Sequence, residues 1–507
     1  MKISRSSGLL LHITSLPGKY GVGTLGKEAY DFIDLLKQGG QKYWQILPVN
    51  PVSPVLGFCP YSAISSFAGN PILISLETLQ QKDWIHDNIL SALHVEFHND
   101  FVDFDRVFLQ KMKLLFISFE NFKQYSDEKL KKSFNVFCKA HKYWLDDYAL
   151  FSTISRYNNS NNWLNWDKEI RFRNPEAIKK WREKLKIEIE FQKFLQFIFF
   201  DQWKKLKKYA NENGVKIIGD LPIYVSFDSA DTWSNPNIFQ LDKKRYKPID
   251  VSGVPPDYFS KTGQMWGNPL YDWFENNGLK KETIMWWQKR FKHIFAMVDI
   301  VRIDHFRGFE SYWSIPSKEK TAVKGKWMKG PGVEFFKRLE DKLGDLPLIA
   351  EDLGNITPGV EQLRDDLNLP GMKILQFAFD FNKKNQYLPH NFKTKNCIVY
   401  TGTHDNNTTN GWFYGSEIDE NTRKYIIKYL GAENRDEFHW KFIRISLSSV
   451  ADLTIFPVQD ILGYGEKFRM NNPASSVNNW RWKLTPGKLN KDVIKKLKEM
   501  CELYNRA

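Results

Sequence analysis

The sequence has few cysteines and no long apolar run. The cysteines form neither a C-x-x-C pair nor a group with histidine at the spacing of metal ligands, and they are Cys59, Cys138, Cys397 and Cys501. This scatter argues against a structural zinc site and is typical of a reducing compartment. No window of about 18 uncharged apolar residues occurs, which excludes a transmembrane helix. The apolar run 8–11 is too short for a signal peptide. We therefore expect a cytoplasmic protein without a membrane partner.

The sequence also lacks convincing nucleotide-binding motifs. The P-loop pattern G-x-x-x-x-G-K-[ST] is absent. The stretch "GVGTLG" (21–26) matches G-x-G-x-x-G, but "TSLPGKY" separates it from the preceding apolar run. A dinucleotide site needs its first glycine directly at the strand end. We therefore predict no nucleotide cofactor and interpret these glycines as a turn beside a binding cleft.

The charge and the aromatic content of the chain indicate which classes of ligand the protein binds. The chain has 73 basic and 59 acidic residues, a net charge of +14. Stretches such as "KKWREKLKIEIE" mix both signs, which is typical of solvated helix faces and not of a nucleic-acid surface. Aromatic residues make up 15% of the chain, with 18 tryptophans, which indicates either a Trp-rich core or a ligand with flat apolar faces, such as a sugar or a base. We predict no nucleic-acid partner.

Short apolar runs alternate with amphipathic stretches along the chain. The runs are nearly continuous in apolar character, as expected of strands buried on both faces. They cover 8–13, 43–49, 215–222, 299–304, 347–352, 372–379, 397–403 and 453–458. Several intervening stretches have helical periodicity and a glycine stop, as in "KEAYDFIDLLKQGG" (27–40). This alternation predicts an α/β protein with a (β/α)8 TIM barrel, and the alternative is an open doubly wound sheet.

Two long segments interrupt the alternation. Both follow the carboxyl end of a predicted strand, where the loops of a barrel enzyme build the active site. We interpret them as large insertions at that face of a single catalytic unit spanning 1–507. The predicted boundaries are about 1–50, 190–222 and 281–507 for the barrel, and about 51–189 and 223–280 for the insertion subdomains.

Carboxylates stand at the ends of several predicted strands. Arg302 and Asp304 are two residues apart, so they point to the same face, and the guanidinium would keep the aspartate ionised. The other strand ends carry Asp220, Glu351 with Asp352, and His404 with Asp405. Any one of these could be a cap or a structural ion pair. Their convergence at the carboxyl ends of barrel strands favours a catalytic site.

A set of carboxylates without a metal-ligand motif is typical of glycoside cleavage. One carboxylate attacks the anomeric carbon, and one acid protonates the leaving oxygen. Metal-assisted hydrolysis is the alternative, because His404 and Asp405 could in principle bind a metal. However, no H-x-H or H-E-x-x-H motif is present. We predict neither a metal nor an organic cofactor.

Three strand ends resemble the catalytic core of the 4-α-glucanotransferases, also called amylomaltases or disproportionating enzymes, of the α-amylase-like superfamily. They are "RIDHFRGF" (302–309), "AEDLG" (350–354) and "GTHDN" (402–406). Further stretches agree along nearly the whole chain, among them "PYSAISSFAGNP" (60–71) and "GDLPIYVSFDSADTW" (219–233). The resemblance implies that Asp304 is the nucleophile, Glu351 the general acid and then base, and Asp405 the stabiliser of the transition state.

The resemblance also implies a set of substrate-binding side chains. They are Tyr61, Asp220, Asp257, Trp266, Arg302, Asp380 and His404. Of these, Asp257 and Trp266 belong to "PPDYFSKTGQMWGNPLY" (255–271), which would form a lid over the active site.

The implied activity is transfer of α-1,4-glucan segments from one maltodextrin to the 4-hydroxyl of another glucan or of glucose. It would follow a retaining double displacement through a covalent glucosyl-enzyme. The partners would be a glucan donor and a glucose or glucan acceptor, and the chain would be a monomer or a weak dimer. The alternatives are a retaining α-glucan hydrolase of the same superfamily and a catalytically silent glucan-binding protein.

Overall fold

Strands occur in two sheets and one short hairpin. The computed structural model describes residues 3–93, 95–256, 260–475 and 477–507. The strands within these ranges are β1 (Ser6–Leu10), β2 (Tyr43–Gln45), β3 (Lys216–Pro222), β4 (Asp250–Val254), β5 (Gln264–Pro269), β6 (Phe274–Glu275), β7 (Gly278–Leu279), β8 (Ile300–Asp304), β9 (Ser311–Pro316), β10 (Lys326–Lys329), β11 (Leu348–Ala350), β12 (Gly371–Ile374), β13 (Cys397–Tyr400) and β14 (Leu453–Pro457).

Eight parallel strands form the main sheet, in the order β11-β8-β3-β2-β1-β14-β13-β12. Each of them lies within or overlaps one predicted apolar run, so the (β/α)8 barrel is confirmed. The two end strands of this order also meet. The backbone N–H of Ala350 donates to the carbonyl of Pro370 at 3.0 Å, and the Asp352 carboxylate accepts from the backbone N–H of Met372 at 2.7 Å.

Alternate residues of the barrel strands fill the interior. The buried side chains there are aliphatic or aromatic and include Leu10, Tyr43, Ile218, Ile300, Ile349, Met372, Ile398, Tyr400 and Ile455. The hydroxyl of Tyr400 in this layer has a partner, because it donates to the side-chain oxygen of Gln45 at 2.8 Å. The interior is therefore a packed core that supports the polar layer above it.

One of the helices that follow the barrel strands, Lys27–Gln38, lies within the predicted amphipathic stretch 27–40. The helices of the described ranges are α1 (Lys27–Gln38), α2 (Leu76–Gln80), α3 (Asp87–Ala92), α4 (Phe104–Tyr125), α5 (Glu128–Ala140), α6 (Lys142–Tyr157), α7 (Lys168–Arg171), α8 (Pro175–Lys184), α9 (Lys186–Glu212), α10 (Ala230–Ser234), α11 (Lys281–Met297), α12 (Gly332–Leu343), α13 (Pro358–Asp366), α14 (Thr409–Tyr414), α15 (Glu420–Tyr429), α16 (Phe438–Ser448), α17 (Val458–Ile461) and α18 (Lys491–Leu503). None of these helices is long and apolar enough to cross a membrane. Helix α12 is followed by Gly344, whose φ of +79° favours glycine.

The segment between β2 and β3 is largely helical. Helices α4, α5 and α6 each pack against α9, the long helix that leads into β3. Phenylalanines fill the interface, as where the ring centroids of Phe122 and Phe194 lie 5.0 Å apart. The helical insertion is thus attached to the barrel through a helix that also belongs to the barrel repeat.

The second sheet joins two segments that are distant in sequence. Its strand order is β10-β9-β4-β5, and the pairs are antiparallel. Strands β4 and β5 belong to the predicted insertion 223–280, whereas β9 and β10 follow barrel strand β8 and lie in the range assigned above to the barrel. The sheet on this side of the site therefore extends beyond the predicted boundary at about residue 280. It also places Trp266 in a strand and not in a loop.

Arg506, a buried arginine at the end of the chain, stabilises the base of the barrel. The guanidinium of Arg506 is fully buried and donates to five backbone carbonyls near the C-terminus of α16 and the start of β1. They belong to Leu447, Ser6, Asp452, Ser449 and Ala451. A cation at the C-terminus of a helix also interacts favourably with the helix dipole.

We predict that Arg506→Met destabilises the protein by about 3 kcal/mol or more. The substitution removes the five hydrogen bonds that Arg506 donates, and each lost bond costs about 1 kcal/mol. The carbonyls of Leu447, Ser449 and Ala451 keep a bond from Arg5. The measurement is the midpoint of denaturant unfolding. Arg182→Met, on the exposed face of α8, is the matched control and should change the free energy of unfolding by less than about 0.5 kcal/mol. Equal midpoints for the two variants would contradict the proposed clamp.

Candidate active site

The predicted site residues converge at the carboxyl ends of neighbouring barrel strands. Strands β3 and β8 pair in parallel, with Asp220 opposite Arg302 and Pro222 opposite Asp304. Glu351 directly follows β11, the neighbour of β8 on the other side. Because adjacent parallel strands bring equivalent positions side by side, three strand ends deliver carboxylates to one mouth of the barrel.

Arg302 joins two of these carboxylates. Its Nη1 donates to both oxygens of Asp220, at 2.8 and 2.7 Å, and to Oδ1 of Asp304 at 3.0 Å. The side chains of Arg302 and Asp220 are 4% and 0% exposed, whereas that of Asp304 is 28% exposed. The guanidinium is thus bound mainly to a buried structural partner, and Asp304 is the partner that reaches the open cleft.

Tyr61 connects this pair to the loop after β13. Its hydroxyl donates to Oδ2 of Asp220 at 2.8 Å and lies 2.9 Å from Nε2 of His404. Because the single hydroxyl proton goes to the carboxylate, the phenol oxygen accepts from His404, and Nε2 of His404 carries a proton. The Tyr61 and His404 rings are stacked with centroids 5.3 Å apart.

His404 and its neighbour Asp405 are held by a second polar loop. Nε2 of His404 lies 3.3 Å from Oδ2 of Asp405. The Asn471 side chain donates to Oδ1 of Asp405 at 2.6 Å, and Arg469 donates to the Asp405 carbonyl at 2.6 Å. Burial alone would raise the pKa of Asp405, but the charge and hydrogen bond of His404 and the bond from Asn471 outweigh it and hold that pKa well below its usual range.

Glu351 is in a different environment. Its two oxygens accept from the backbone N–H groups of His305, at 2.7 Å, and of Leu353, at 3.0 Å. Burial raises the pKa of Glu351 to about 7; Arg302 opposes the rise and the charge of Asp304 adds to it. This carboxyl therefore retains a proton close to neutral pH.

The pKa of Asp304 is raised although this carboxylate has an arginine partner. Burial raises its pKa to about 6, Arg302 lowers it, and the charge of Asp220 raises it again. Arg302 therefore limits the rise in the pKa of Asp304 without reversing it, because most of the hydrogen bonds that Arg302 donates go to Asp220. Near neutral pH, Asp304 is still the more ionised of the Asp304 and Glu351 pair.

Trp266 lies above the loop that follows β8. Its ring meets that of His305 edge to face, with the ring centroids 4.8 Å apart. Trp266 is 39% exposed, so part of the indole is open to a ligand. Asp257, the other predicted lid residue, lies outside the described residues.

Asp380 has a local partner. It is exposed, and its carboxylate accepts from the backbone N–H of Asn382 at 2.9 Å. Its place in substrate binding stays a prediction.

Among the described residues, no group of three His, Cys, Asp or Glu side chains is arranged to hold a metal ion.

Sequence reasoning missed several side chains at the mouth. Asn471 and Arg469 come from "FRMNNP" (468–473), a stretch without a recognisable chemical motif. Trp480 packs beside the stacked pair, with its ring 5.7 Å from that of Tyr61. Trp480 lies in "NNWRWKL" (478–484), a stretch that agrees with the family, but a late loop carries no periodic signal that would assign this tryptophan a place in the site.

Comparison with known proteins decides the family. The sequence profile described as 4-alpha-glucanotransferase matches residues 11–490. The chain belongs to the 4-alpha-glucanotransferase family. A 4-alpha-glucanotransferase of Synechocystis sp. is 48% identical over 99% of this chain and 98% of its own length. One from Clostridium butyricum is 44% identical over 98% of this chain and 100% of its own length.

Solved structures of this family superpose on the chain. An amylomaltase from Streptococcus agalactiae in complex with acarbose has a TM-score of 0.94 at 38% identity, covering 99% of this chain and 100% of that one. The amylomaltase from Corynebacterium glutamicum shares the fold, with a TM-score of 0.77 at 18% identity over 99% of this chain and 75% of that one. The family predicted from the three strand-end motifs is therefore confirmed.

The backbone of His305 generates a prediction about stability. His305 has φ 53° and ψ 49°, in the left-handed region that asparagine tolerates and that β-branched residues avoid. We expect His305→Val to be about 1–2 kcal/mol less stable than His305→Asn, measured by denaturant unfolding. The same two substitutions at His98, which is exposed and is not among the residues with positive φ, form the control pair and should differ by much less. A Val variant as stable as the Asn variant at position 305 would contradict the left-handed assignment.

Proposed function

We propose that the protein transfers α-1,4-glucan segments from a maltodextrin donor to the 4-hydroxyl of glucose or of another glucan. The observation that carries this proposal is the group of three carboxyls at one barrel mouth, each in a different electrostatic environment. Asp405 has a depressed pKa, Asp304 has a pKa of about 6 and Glu351 one of about 7. A retaining glycosyl transfer requires one ionised carboxylate and one protonated carboxyl.

The first half of the reaction uses Asp304 and Glu351 together. An oxygen of Asp304 attacks the anomeric carbon and forms the glucosyl ester, while the glycosidic C–O bond breaks. Glu351 gives its proton to the leaving 4-oxygen, so the shortened glucan departs as an alcohol. In the second half, Glu351 takes the proton of an acceptor 4-hydroxyl, whose oxygen attacks the same carbon and releases Asp304.

The remaining side chains orient the sugar and the nucleophile. Arg302 binds Asp304 through one N–H and leaves the second carboxylate oxygen free to attack. Asp405, held ionised beside His404, is suited to hold sugar hydroxyls and to stabilise the positive charge that develops at the ring. Tyr61 offers an aromatic face for the sugar to stack on, with its hydroxyl bound to Asp220.

Transfer instead of hydrolysis requires that an acceptor sugar meets the ester before water does. The partly exposed Trp266 is suited to bind the acceptor and cover the ester, and the resemblance also implies that Asp257 contacts sugar. A retaining α-glucan hydrolase with the same carboxylates is the alternative. The two activities differ in how well this acceptor side excludes water, not in the catalytic carboxyls.

The biological setting is part of the proposal. Maltodextrin or glycogen metabolism, a cytoplasmic location and a monomer or weak dimer are the expected features. Two relatives, from Oryza sativa and Arabidopsis thaliana, are described as chloroplastic/amyloplastic.

The proposed activity is tested by the products formed from maltotriose. We expect glucose together with a ladder of longer oligomers, which chromatography with mass detection resolves. Asp304→Asn should remove nearly all turnover, because the amide cannot act as the nucleophile, and should leave folding unchanged. The matched control is Asp299→Asn, at the opposite end of the same strand, where the carboxylate accepts from the backbone N–H of Ile217.

Two results would contradict the proposal. Products that are only shorter than maltotriose would identify a hydrolase. An Asp304→Asn variant as active as Asp299→Asn would exclude Asp304 as the nucleophile, whatever the product pattern.

The two raised pKa values also predict a narrow pH optimum. Activity falls as pH drops through about 6, where Asp304 takes up a proton, and as pH rises through about 7, where Glu351 loses one. Because Asp304 and Glu351 interact, the two apparent pKa values that bound the pH–activity profile belong to the pair and not to either residue alone. A substitution that affects one of them therefore shifts both apparent pKa values. Because the charge of Asp220 raises the pKa of Asp304, Asp220→Asn should move the acid limb to lower pH.

The measurement is kcat/KM against pH with maltotriose for wild type and Asp220→Asn. Asp231→Asn is the control, since Asp231 is also buried but accepts from the backbone of Ser66 and not from Arg302. An acid limb that stays in place, or moves to higher pH, in Asp220→Asn would contradict the electrostatic assignment.

A further inference from the structure

Asp460 is a buried carboxylate outside the proposed catalytic set. It lies in α17, the short helix after β14, and is 1% exposed. One oxygen accepts from the backbone N–H of Thr409 at 2.7 Å. The other accepts from the hydroxyls of Thr401 at 2.5 Å and Thr409 at 2.7 Å. Burying a carboxylate with only neutral donors costs stability relative to an apolar residue, so its presence calls for an explanation.

The two threonines bracket one loop. Thr401 directly follows β13, and Thr409 is the first residue of α14. Between them lie His404 and Asp405, the pair bound to Tyr61 and Asn471. A single carboxylate therefore binds the start and the end of this loop and joins both to α17, the helix that follows the neighbouring strand β14.

Other hydrogen bonds hold the middle of the loop. The Asn406 side chain accepts from the backbone N–H and the hydroxyl of Thr403, at 2.9 and 2.8 Å. Gln376 donates to the carbonyl of Asn407 at 2.9 Å. The bonds between Thr403 and Asn406 fix the shape of the loop, whereas those from Gln376 and those to Asp460 fix its position on the barrel. Asp460 binds both ends of the loop, so its loss would loosen the position of Asp405.

We propose that Asp460 is a positioning residue that sets the location of Asp405 and His404 relative to the reacting sugar. This inference rests on the proposed function, in which Asp405 stabilises the transition state. It predicts a loss that appears in kcat more than in KM, because an interaction made mainly in the transition state does not contribute to ground-state binding. A purely structural role would lower the unfolding temperature and leave the turnover of each folded molecule unchanged.

The test compares Asp460→Ala with Asp460→Asn in maltotriose transfer, normalised to folded protein by circular dichroism. Asp460→Ala should lower kcat on the order of 10–100-fold, the scale of a displacement of about 1 Å in an active site, with KM changed less than about 3-fold. Asp460→Asn should restore kcat to within about 3-fold of wild type. Its amide oxygen can accept from the Thr409 N–H, and its NH2 can donate to the hydroxyl oxygens, which rotate to accept.

Two threonine variants keep the test decisive if Asp460→Ala does not fold. Thr409→Val removes one hydroxyl and should lower kcat by about 2–10-fold, the scale of one hydrogen bond. Thr153→Val is the matched control, because the buried hydroxyl of Thr153 only bonds the Ala149 carbonyl within α6; its kcat should equal that of wild type.

Three results would overturn the inference: wild-type kcat in folded Asp460→Ala, an Asn variant as impaired as the Ala variant, or Thr409→Val with the kcat of Thr153→Val. A wild-type protein that makes no longer oligomers would instead overturn the proposed function, so the two failures are distinguishable.

Discussion

A buried guanidinium shared between two carboxylates organises the mouth of this barrel. Arg302 binds both oxygens of Asp220 and one of Asp304, and Asp220 in turn binds Tyr61. Removing one member of such a buried pair typically costs about 3–5 kcal/mol, because the other charge is left without its partner. The contacts of Arg302 therefore set the position of the proposed nucleophile, Asp304. The same contacts stabilise a layer of charged side chains inside a barrel that is otherwise apolar.

From that layer the polar contacts continue into the loop after β13, which belongs to a different part of the sheet. Tyr61 reaches His404, His404 reaches Asp405, and Asn471 closes the far side. Since each side chain is held by its neighbour, three carboxyls within one cleft keep three different affinities for protons. Separation of this kind lets one cleft supply an acid and a nucleophile at a single pH.

Much of this arrangement follows from local sequence pattern. Continuous apolar runs identified the eight barrel strands, and the spacing of two predicted that Arg302 and Asp304 share a face. Adjacent acids at one strand end could not be told apart by periodicity alone: Glu351 faces the cleft, whereas Asp352 bonds β12. The pairing of β4 with β9 was not predictable, because it joins segments about sixty residues apart with no shared local signal. Asn471 was missed for the same reason.

Chemical trapping of the proposed covalent intermediate is the most direct single test of the site. The protein would be incubated with a 5-fluoro-α-glucosyl fluoride, whose ester forms faster than it turns over, then digested and sequenced by mass spectrometry. If Arg302 presents Asp304 as described, the added sugar mass is found on the peptide carrying Asp304 and on that side chain. Label on Glu351 or Asp405, or loss of fluoride without any labelled peptide, would contradict the assignment of Asp304 as the nucleophile.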